Sequence, residues 1–232
     1  MRVDGEQADK PGRMVAEDAA VDVAEDPNPY VSRGGLKLQQ ALQEFGVEPA
    51  GWTAADIGAS TGGFTDCLLQ NGAAKVFAVD VGYGQLDWKL QSDERVVRID
   101  RKNARELTLA EVGGAALDLA VIDVAFISLK LVLPAVFGIL KPEGRWIALV
   151  KPQFEVGKDE VENKGIITDL NKHARVLMEL KQFAEDSGWR VTGLCRSPIT
   201  GQKGNQEYLM MGMRDGAEGG IDETVIRETV GL

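Results

Sequence analysis

Apolar residues fall in short unbroken runs along this chain, and stretches with helical spacing separate the runs. Four runs are long enough to read as strands: Lys75–Asp80, Arg95–Asp100, Leu117–Asp123 and Gly144–Lys151. Because they are continuous, not alternating, they predict strands covered on both faces, as in a parallel sheet. Ala55-Asp56-Ile57 adds a shorter strand before them, and Arg190–Ser197 and Glu207–Met213 add two at the end. Leu38, Leu42 and Phe45, with Ala41 beside them, form the buried stripe of a first helix. Further helices are predicted after Gly63, from Ser128 to about Leu140, and from Leu170 to Ser187. Strand–helix alternation implies right-handed crossovers and a ligand at the carboxyl ends of the strands. Asp56, Asp80, Asp100, Asp123 and Lys151 all stand at those ends. The last two strands are close in sequence and should pair antiparallel, which returns Glu207 to the same edge.

The ends of the chain follow a different pattern. Residues 1–29 hold short β-like pieces (Arg2–Asp4, Arg13–Val15, Ala20–Val23) set among glycine, proline and acidic residues, with too few apolar side chains for a core of their own. A flexible acidic tail and a fragment of another domain are both open readings there. Asp26-Pro27-Asn28-Pro29 reads as a stiff linker, since two prolines exclude helix. Residues 214–232 read as an acidic C-terminal tail that could end in a short helix. The expected division is therefore residues 1–29, 30–213 and 214–232.

Composition narrows the function. A length of 232 residues with 44% hydrophobic content supports one substantial α/β core. The most apolar segment, Leu129 to Leu140, is a dozen residues long and carries Lys130 and Pro134, whereas a membrane-spanning helix needs about 20. Two cysteines, Cys67 and Cys195, and no visible secretory signal set a reduced cytoplasmic location as the expectation. One histidine, His173, leaves little room for a metal cluster or a Ser-His-Asp scheme, so no metal is expected and proton transfer falls to Lys, Asp, Glu or Tyr. His173 itself reads as a structural or capping residue. Net charge is −10, but residues 1–29 hold −5 of it and residues 214–232 hold −3, leaving −2 between them. Charge alone therefore predicts no RNA partner, and a nearly neutral middle can still present a local basic face.

The stretch Asp56-Ile57-Gly58-Ala59-Ser60-Thr61-Gly62-Gly63-Phe64-Thr65-Asp66 carries the candidate chemistry. It reads as a strand, a turn of small residues that lets backbone approach a ligand, and a helix whose first N–H groups face the crevice. Asp80, ending the next strand, lies 22 positions beyond Gly58, near the ~20-residue spacing at which a carboxylate meets ribose hydroxyls. The turn lacks the Lys-Ser/Thr of a phosphate-gripping loop and is not a clean G-x-G-x-x-G. A ligand with a ribose and no phosphates fits, and S-adenosylmethionine is such a ligand. Lys37 lies off the apolar stripe near a helix start, where a cation is unfavourable; taken alone it reads as a solvated surface lysine.

Four separated segments then resemble one family. Tyr30-Val31-Ser32-Arg33-Gly34-Gly35-Leu36-Lys37-Leu38, the Asp56–Asp66 stretch, Leu149-Val150-Lys151-Pro152-Gln153-Phe154-Glu155 and Gly204-Asn205-Gln206-Glu207-Tyr208 are similar to the TlyA (hemolysin A) family, which carries an FtsJ-like ribosomal RNA 2′-O-methyltransferase domain. The resemblance spans about residues 30–213. It implies a Rossmann-like class I methyltransferase fold: a mostly parallel seven-stranded sheet with one antiparallel strand and helices on both faces. It also implies S-adenosylmethionine as cofactor and ribosomal RNA or ribosomal subunits as partner, at cytidine, with no membrane partner. The FtsJ-like Lys–Asp–Lys–Glu tetrad falls on Lys37, Asp123, Lys151 and Glu207, and the family's cofactor contacts fall on Gly62, Phe64, Asp80, Asp100 and Asp123. Asp56, Gly58, Ser60 and Gly63 join them from the reading of the turn. The family's N-terminal RNA-binding module is matched only in its last half by residues 1–26, without its helices, so residues 1–29 are expected to be its remnant plus the linker.

The implied chemistry is proton removal from a ribose 2′-hydroxyl as a methyl group approaches. Lys151 is the candidate base. A lysine acts as a base only when neutral, which asks for desolvation and a neighbouring like charge, and Lys37 could supply that charge. Asp123 would hold Lys151 and the methionine end of the cofactor, and Glu207 would position Lys37 or the ribose. The segment Asp123-Val124-Ala125-Phe126 lacks the Asp/Asn-Pro-Pro-Tyr turn of amino-methylating enzymes, which favours oxygen as the acceptor. A membrane-active cytolysin, a non-catalytic RNA-binding or assembly protein, and a small-molecule methyltransferase are the competing readings. The sequence leaves oligomeric state open.

Overall fold

The computed structural model describes residues 2–8, 12, 14–16, 18–22, 28–161, 165–214 and 219–232. The expected linker residues Asp26 and Pro27, together with Arg13 and Val23 of the β-like pieces, lie outside the described residues, as does 215–218 of the acidic tail. Near the N-terminus, β1 (Arg2–Val3), β2 (Glu6–Gln7) and β3 (Val21–Asp22) form a small antiparallel sheet in the order β2-β1-β3. Asp4 and Gly5 both have positive φ, which is the backbone a two-residue hairpin turn requires. The Asp4 carboxylate accepts the Ala20 N–H at 2.9 Å and secures the third strand. Met14 and Val15, expected in a strand, lie exposed outside the sheet; the Asp-Gly hairpin recruits Glu6–Gln7 in their place.

From residue 30 the order is α1 (Gly34–Glu44), β4 (Thr53–Ile57), α2 (Gly63–Gln70), β5 (Lys75–Val79), α3 (Trp88–Gln91), β6 (Val96–Ile99), β7 (Leu117–Ile122), α4 (Leu129–Phe137), β8 (Leu140–Val150), α5 (Pro152–Glu155), α6 (Leu170–Asp186), β9 (Trp189–Arg196), β10 (Tyr208–Arg214) and α7 (Glu223–Val230). Seven strands form one sheet in the order β6-β5-β4-β7-β8-β10-β9. The neighbours from β6 to β8 are parallel, and β10 runs antiparallel to both β8 and β9. The expected mostly parallel sheet with a single reversed strand is the sheet observed.

Side chains alternate across a strand, so a run that is apolar at every position feeds two cores. Ala55, Ile57, Val79, Ala120, Ile122, Ala148 and Val150 face one side and pack with α4, α6 and α7. Ala54, Val76, Ala78, Leu119, Val121, Ile147 and Leu149 face the other and pack with α1 and α2. Two boundaries differ from expectation. Helix α4 ends at Phe137, since Gly138 caps it and Leu117 N–H bonds the Ile139 carbonyl, drawing the chain into the sheet. Strand β8 then begins at Leu140 and bulges before Arg145, where pairing with β7 resumes.

Strand order reverses direction at β4, so the loops after β4 and β7 part there and leave a crevice at the carboxyl edge. Asp56, Asp80, Asp100, Asp123 and Lys151 are delivered to that edge by the strands that precede or contain them.

Candidate active site

The loop from Gly58 to Gly62 forms the floor. Gly58 has φ +87°, and a Cβ there would stand 2.3 Å from the Asp123 carbonyl oxygen, so only glycine lets β4 and β7 close up at this point. Gly62 has φ +100°, and its absent Cβ leaves room for Leu86 and Leu90, whose methyls would lie 2.7 and 2.2 Å away. Gly63 meets Ser32 Oγ and the Gly35 backbone in the same way, which brings α1 onto α2. The sequence reading gave these glycines to a ligand. In the fold the freed space at Gly62 is filled by protein, while Gly58 and Gly63 line the cleft as well as packing. Ser60 adopts a left-handed φ of +48°, and its N–H donates to Asp80 Oδ2 at 2.8 Å. Asp80 Oδ1 accepts from Gly82 N–H at 2.7 Å, so this carboxylate braces two loops.

Asp56 is fully buried beneath that floor. Its Oδ2 accepts from the Thr65 N–H (2.9 Å) and hydroxyl (2.7 Å), whereas Oδ1 is buried with no partner. Burial pushes its carboxyl up to about 7, against the lowering effect of the Thr65 hydrogen bonds and with help from Asp123.

Above it lie two ion pairs. Lys151 Nζ, following β8, is 2.6 Å from Asp123 Oδ1, following β7. Lys37 Nζ, on the first turn of α1, is 2.5 Å from Glu207 Oε2, just before β10, across 170 residues of sequence. All four side chains line one cleft of about 400 Å³, together with Asp56, Gly58, Ser60, Gly63 and Phe64. Lys37 is buried, not a solvated surface lysine as its position alone suggested; the carboxylate of Glu207 offsets its unfavourable place at a helix start. That pairing also balances the charge Lys37 was expected to project toward Lys151. Gly62 does not line this cleft, and Asp80 and Asp100 border a smaller hollow that shares Ala59 and Ser60 with it.

The structure also places residues that the sequence reading did not single out. Gln153 and Phe154 lie within the quoted motif around Lys151 and line the cleft. Phe126 is 89% exposed at its mouth with φ +64°, its ring 5.0 Å from that of Phe154. A lone phenylalanine carries no signal in sequence for such exposure. The cleft wall from Ile199 to Gly201 is held by Ser197, whose N–H bonds the Glu207 carbonyl and whose hydroxyl bonds that of Ile199. Glu155 accepts from Ser128 Oγ (2.6 Å) and Leu129 N–H (2.8 Å), fixing α5 to the start of α4; burial raises its carboxyl. His173 is buried with Nδ1 2.7 Å from the Tyr208 hydroxyl and Nε2 3.0 Å from the Ile167 carbonyl. It is structural, as read. Among the described residues no group of three or more His, Cys, Asp or Glu could hold a metal ion, and no helix is long and apolar enough to cross a membrane.

A family model described as FtsJ-like methyltransferase matches residues 30–214. A Mycobacterium tuberculosis protein named 16S/23S rRNA (cytidine-2′-O)-methyltransferase TlyA is 46% identical over 211 residues, covering 90% of this chain and 78% of that one. Hemolysin A of Brachyspira hyodysenteriae is 43% identical over 180 residues, covering 78% and 75%. A solved Streptococcus thermophilus structure bearing a hemolysin name superposes with a TM-score of 0.86 at 44% identity, covering 97% of this chain and 82% of that one.

Proposed function

The chain belongs to the FtsJ-like methyltransferase family, and on that premise we propose that it methylates ribose 2′-hydroxyls of ribosomal RNA at cytidine, with S-adenosylmethionine as donor. The observation that carries the reading is the meeting of Lys37, Asp123, Lys151 and Glu207 in one cleft at the carboxyl edge of the sheet. The cofactor fits the residues present. A fully buried carboxylate with one oxygen unpartnered calls for a cation, and the ammonium of a methionine moiety is one. Asp56 and Asp123 would hold the methionine end, with Gly58, Ser60, Gly63 and Phe64 along it. Asp80 and Asp100 would take the ribose and the base beyond, and Gly62 would shape the floor. When bound, S-adenosylmethionine supplies an electrophilic methyl on a sulfonium.

Lys151 would take the 2′-hydroxyl proton: the O–H bond breaks as the oxygen gains the methyl carbon, the carbon–sulfur bond breaks with its electron pair left on the now neutral sulfur, and the proton ends on Nζ. Before that, Lys151 must lose its own extra proton to solvent through the open cleft, while Asp123 at 2.6 Å keeps Nζ in place. Lys37, held by Glu207, donates to the ribose oxygen and aligns it. Most of the acceleration then comes from that alignment and from exclusion of water. The antiparallel sheet β1–β3 is consistent with residues 1–29 belonging to an RNA-binding module.

Lys151→Ala should lower methyl incorporation into ribosomal subunits by about 10²–10⁴-fold, the usual worth of a general base, with cofactor affinity changed only a few-fold by calorimetry. Retained turnover would remove Lys151 from that role. Mapping 2′-O-methyl marks on ribosomal RNA with and without the gene tests the assignment itself, and identical maps would sink it. The hemolysin names of two relatives motivate one further assay, leakage from lipid vesicles, for which no leakage is expected.

A further inference from the structure

Gln153 stands two residues beyond Lys151 on α5, beside Phe154, and its side chain lines the catalytic cleft. Its Oε1 is buried and has no hydrogen-bond partner. A buried acceptor with no donor is rare in folded proteins and points to a group that arrives from outside. The two ammonium groups that line the cleft are engaged: Lys151 with Asp123, and Lys37 with Glu207. The unmatched acceptor therefore asks the ligand for a donor. On the reading above the cofactor occupies the side of the cleft floored by Asp56 and the loop from Gly58, so the donor must come from the nucleotide being methylated.

A nucleotide carries its base on the ribose carbon next to the one that bears the 2′-oxygen. Gln153 lines the same cleft as Lys151, the group that meets that oxygen, and so shares the space the base would enter. Among pyrimidines, cytosine presents a donor, its exocyclic N4 amine, beside the N3 acceptor. Uracil presents the opposite order, an O4 acceptor beside an N3–H donor. A primary amide matches the cytosine edge with two hydrogen bonds, Oε1 accepting from N4 and Nε2 donating to N3.

We propose that Gln153 is a specificity-determining residue that recognises the target base as cytosine through these two bonds. The proposal deepens the reading of the same site and rests on it. With the amide kept in the orientation that buries Oε1, a uracil would set its O4 against that oxygen; matching uracil instead would take a half-turn of the amide that exchanges Oε1 and Nε2.

The test begins by mapping the nucleotide that the wild-type protein methylates on purified ribosomal subunits, and then uses subunits carrying uridine at that position. Wild-type protein should methylate the uridine form at least about tenfold more slowly, the scale of one lost hydrogen bond. Gln153→Met, similar in length but without the amide, should methylate both forms within about twofold of each other, with cofactor affinity unchanged by calorimetry. Gln153→Asn, which withdraws the amide by one methylene, serves as a second variant should the first lose cofactor binding, and it should lose most of the discrimination too. A wild-type protein that accepts uridine equally well, or variants that keep the tenfold preference, would overturn the proposal. Absence of methyl transfer by wild-type protein on any subunit is a different result, and it overturns the functional reading beneath it.

Discussion

At the scale of single residues, the buried carboxyl of Asp56 is the costliest group in the cleft. Its folded-state value of about 7 lies above the ordinary 3.8, so burial stabilises the protonated form. Folding stability from this group is complete below about pH 4 and is lost as pH rises through about 7. The gap corresponds to at most on the order of 4 kcal/mol at pH 8. Asp56→Asn should remove that dependence and raise the unfolding free energy at pH 8 relative to wild type, read from urea curves at pH 5 and pH 8. The same substitution should weaken S-adenosylmethionine binding, because the neutral amide places an N–H₂ where the unpartnered oxygen stood. An equal change in both proteins between pH 5 and pH 8 would mean that Asp56 keeps an ordinary carboxylate value in the folded protein. Lys37 carries the complementary lesson. Its side chain was legible as a member of a motif but not as a buried one, since its only visible context, a helix start, says nothing about a carboxylate 170 residues away.

Among elements, the short stretch from Gly201 to Tyr208 does several jobs through successive side chains. Asn205 Nδ2 donates to the Gly165 carbonyl (2.8 Å) and its Oδ1 accepts from Ile167 N–H (3.1 Å), landing the long loop after α5. Tyr208 reaches His173 on α6, and Glu207 between them turns the other way to Lys37. Adjacent side chains at the start of β10 point to opposite sides, which separates Tyr208 from the catalytic Glu207. Gly201 leaves the space that Glu207 occupies: a Cβ there would stand 2.0 Å from Glu207 Oε1. Because Glu207 is buried and paired, it has little room to yield. Gly201→Ala should therefore cut kcat about tenfold or more while leaving cofactor affinity intact, measured by methyl incorporation beside calorimetry. Unchanged kcat would show that the Lys37–Glu207 pair tolerates displacement. The motif around this strand was readable in sequence, but its division of labour was not, because it depends on which segments lie on each side of β10.

For the molecule as a whole, the C-terminal stretch extends past residue 214, where the family match ends. It was read as an acidic tail. In the fold, Asp222 caps α7, and Ile226 and Val230 are fully buried against α6 and β9. Arg196, at the end of β9, donates to the carbonyls of Thr229 and Val230, so its cation sits at the negative end of the α7 dipole. Ile226→Ala should cost about 2–4 kcal/mol of unfolding free energy, the range for emptying a buried aliphatic site, seen as a lower urea midpoint with unchanged slope. A loss below about 0.5 kcal/mol, the level of an ordinary surface substitution, would show α7 to be undocked in solution. Two apolar positions at i and i+4 within an acidic segment give only a faint helical signal, and nothing local shows that a surface waits to receive them.

The sequence by itself determined the alternation of strands and helices, the doubly covered sheet, and the row of acids with Lys151 at its carboxyl edge. Those features follow from periods of two and 3.6 residues and from strand ends, all of which are local. Only the tertiary structure decided which lysine meets which acid, that Leu86 and Leu90 fill the space at Gly62, that α7 joins the core, and that oxygens of Asp56 and Gln153 are left without donors. Each of these depends on what a distant segment brings within a few ångströms of a side chain. Proximity of that kind is set by the order of strands in the sheet and leaves no periodic trace in the chain.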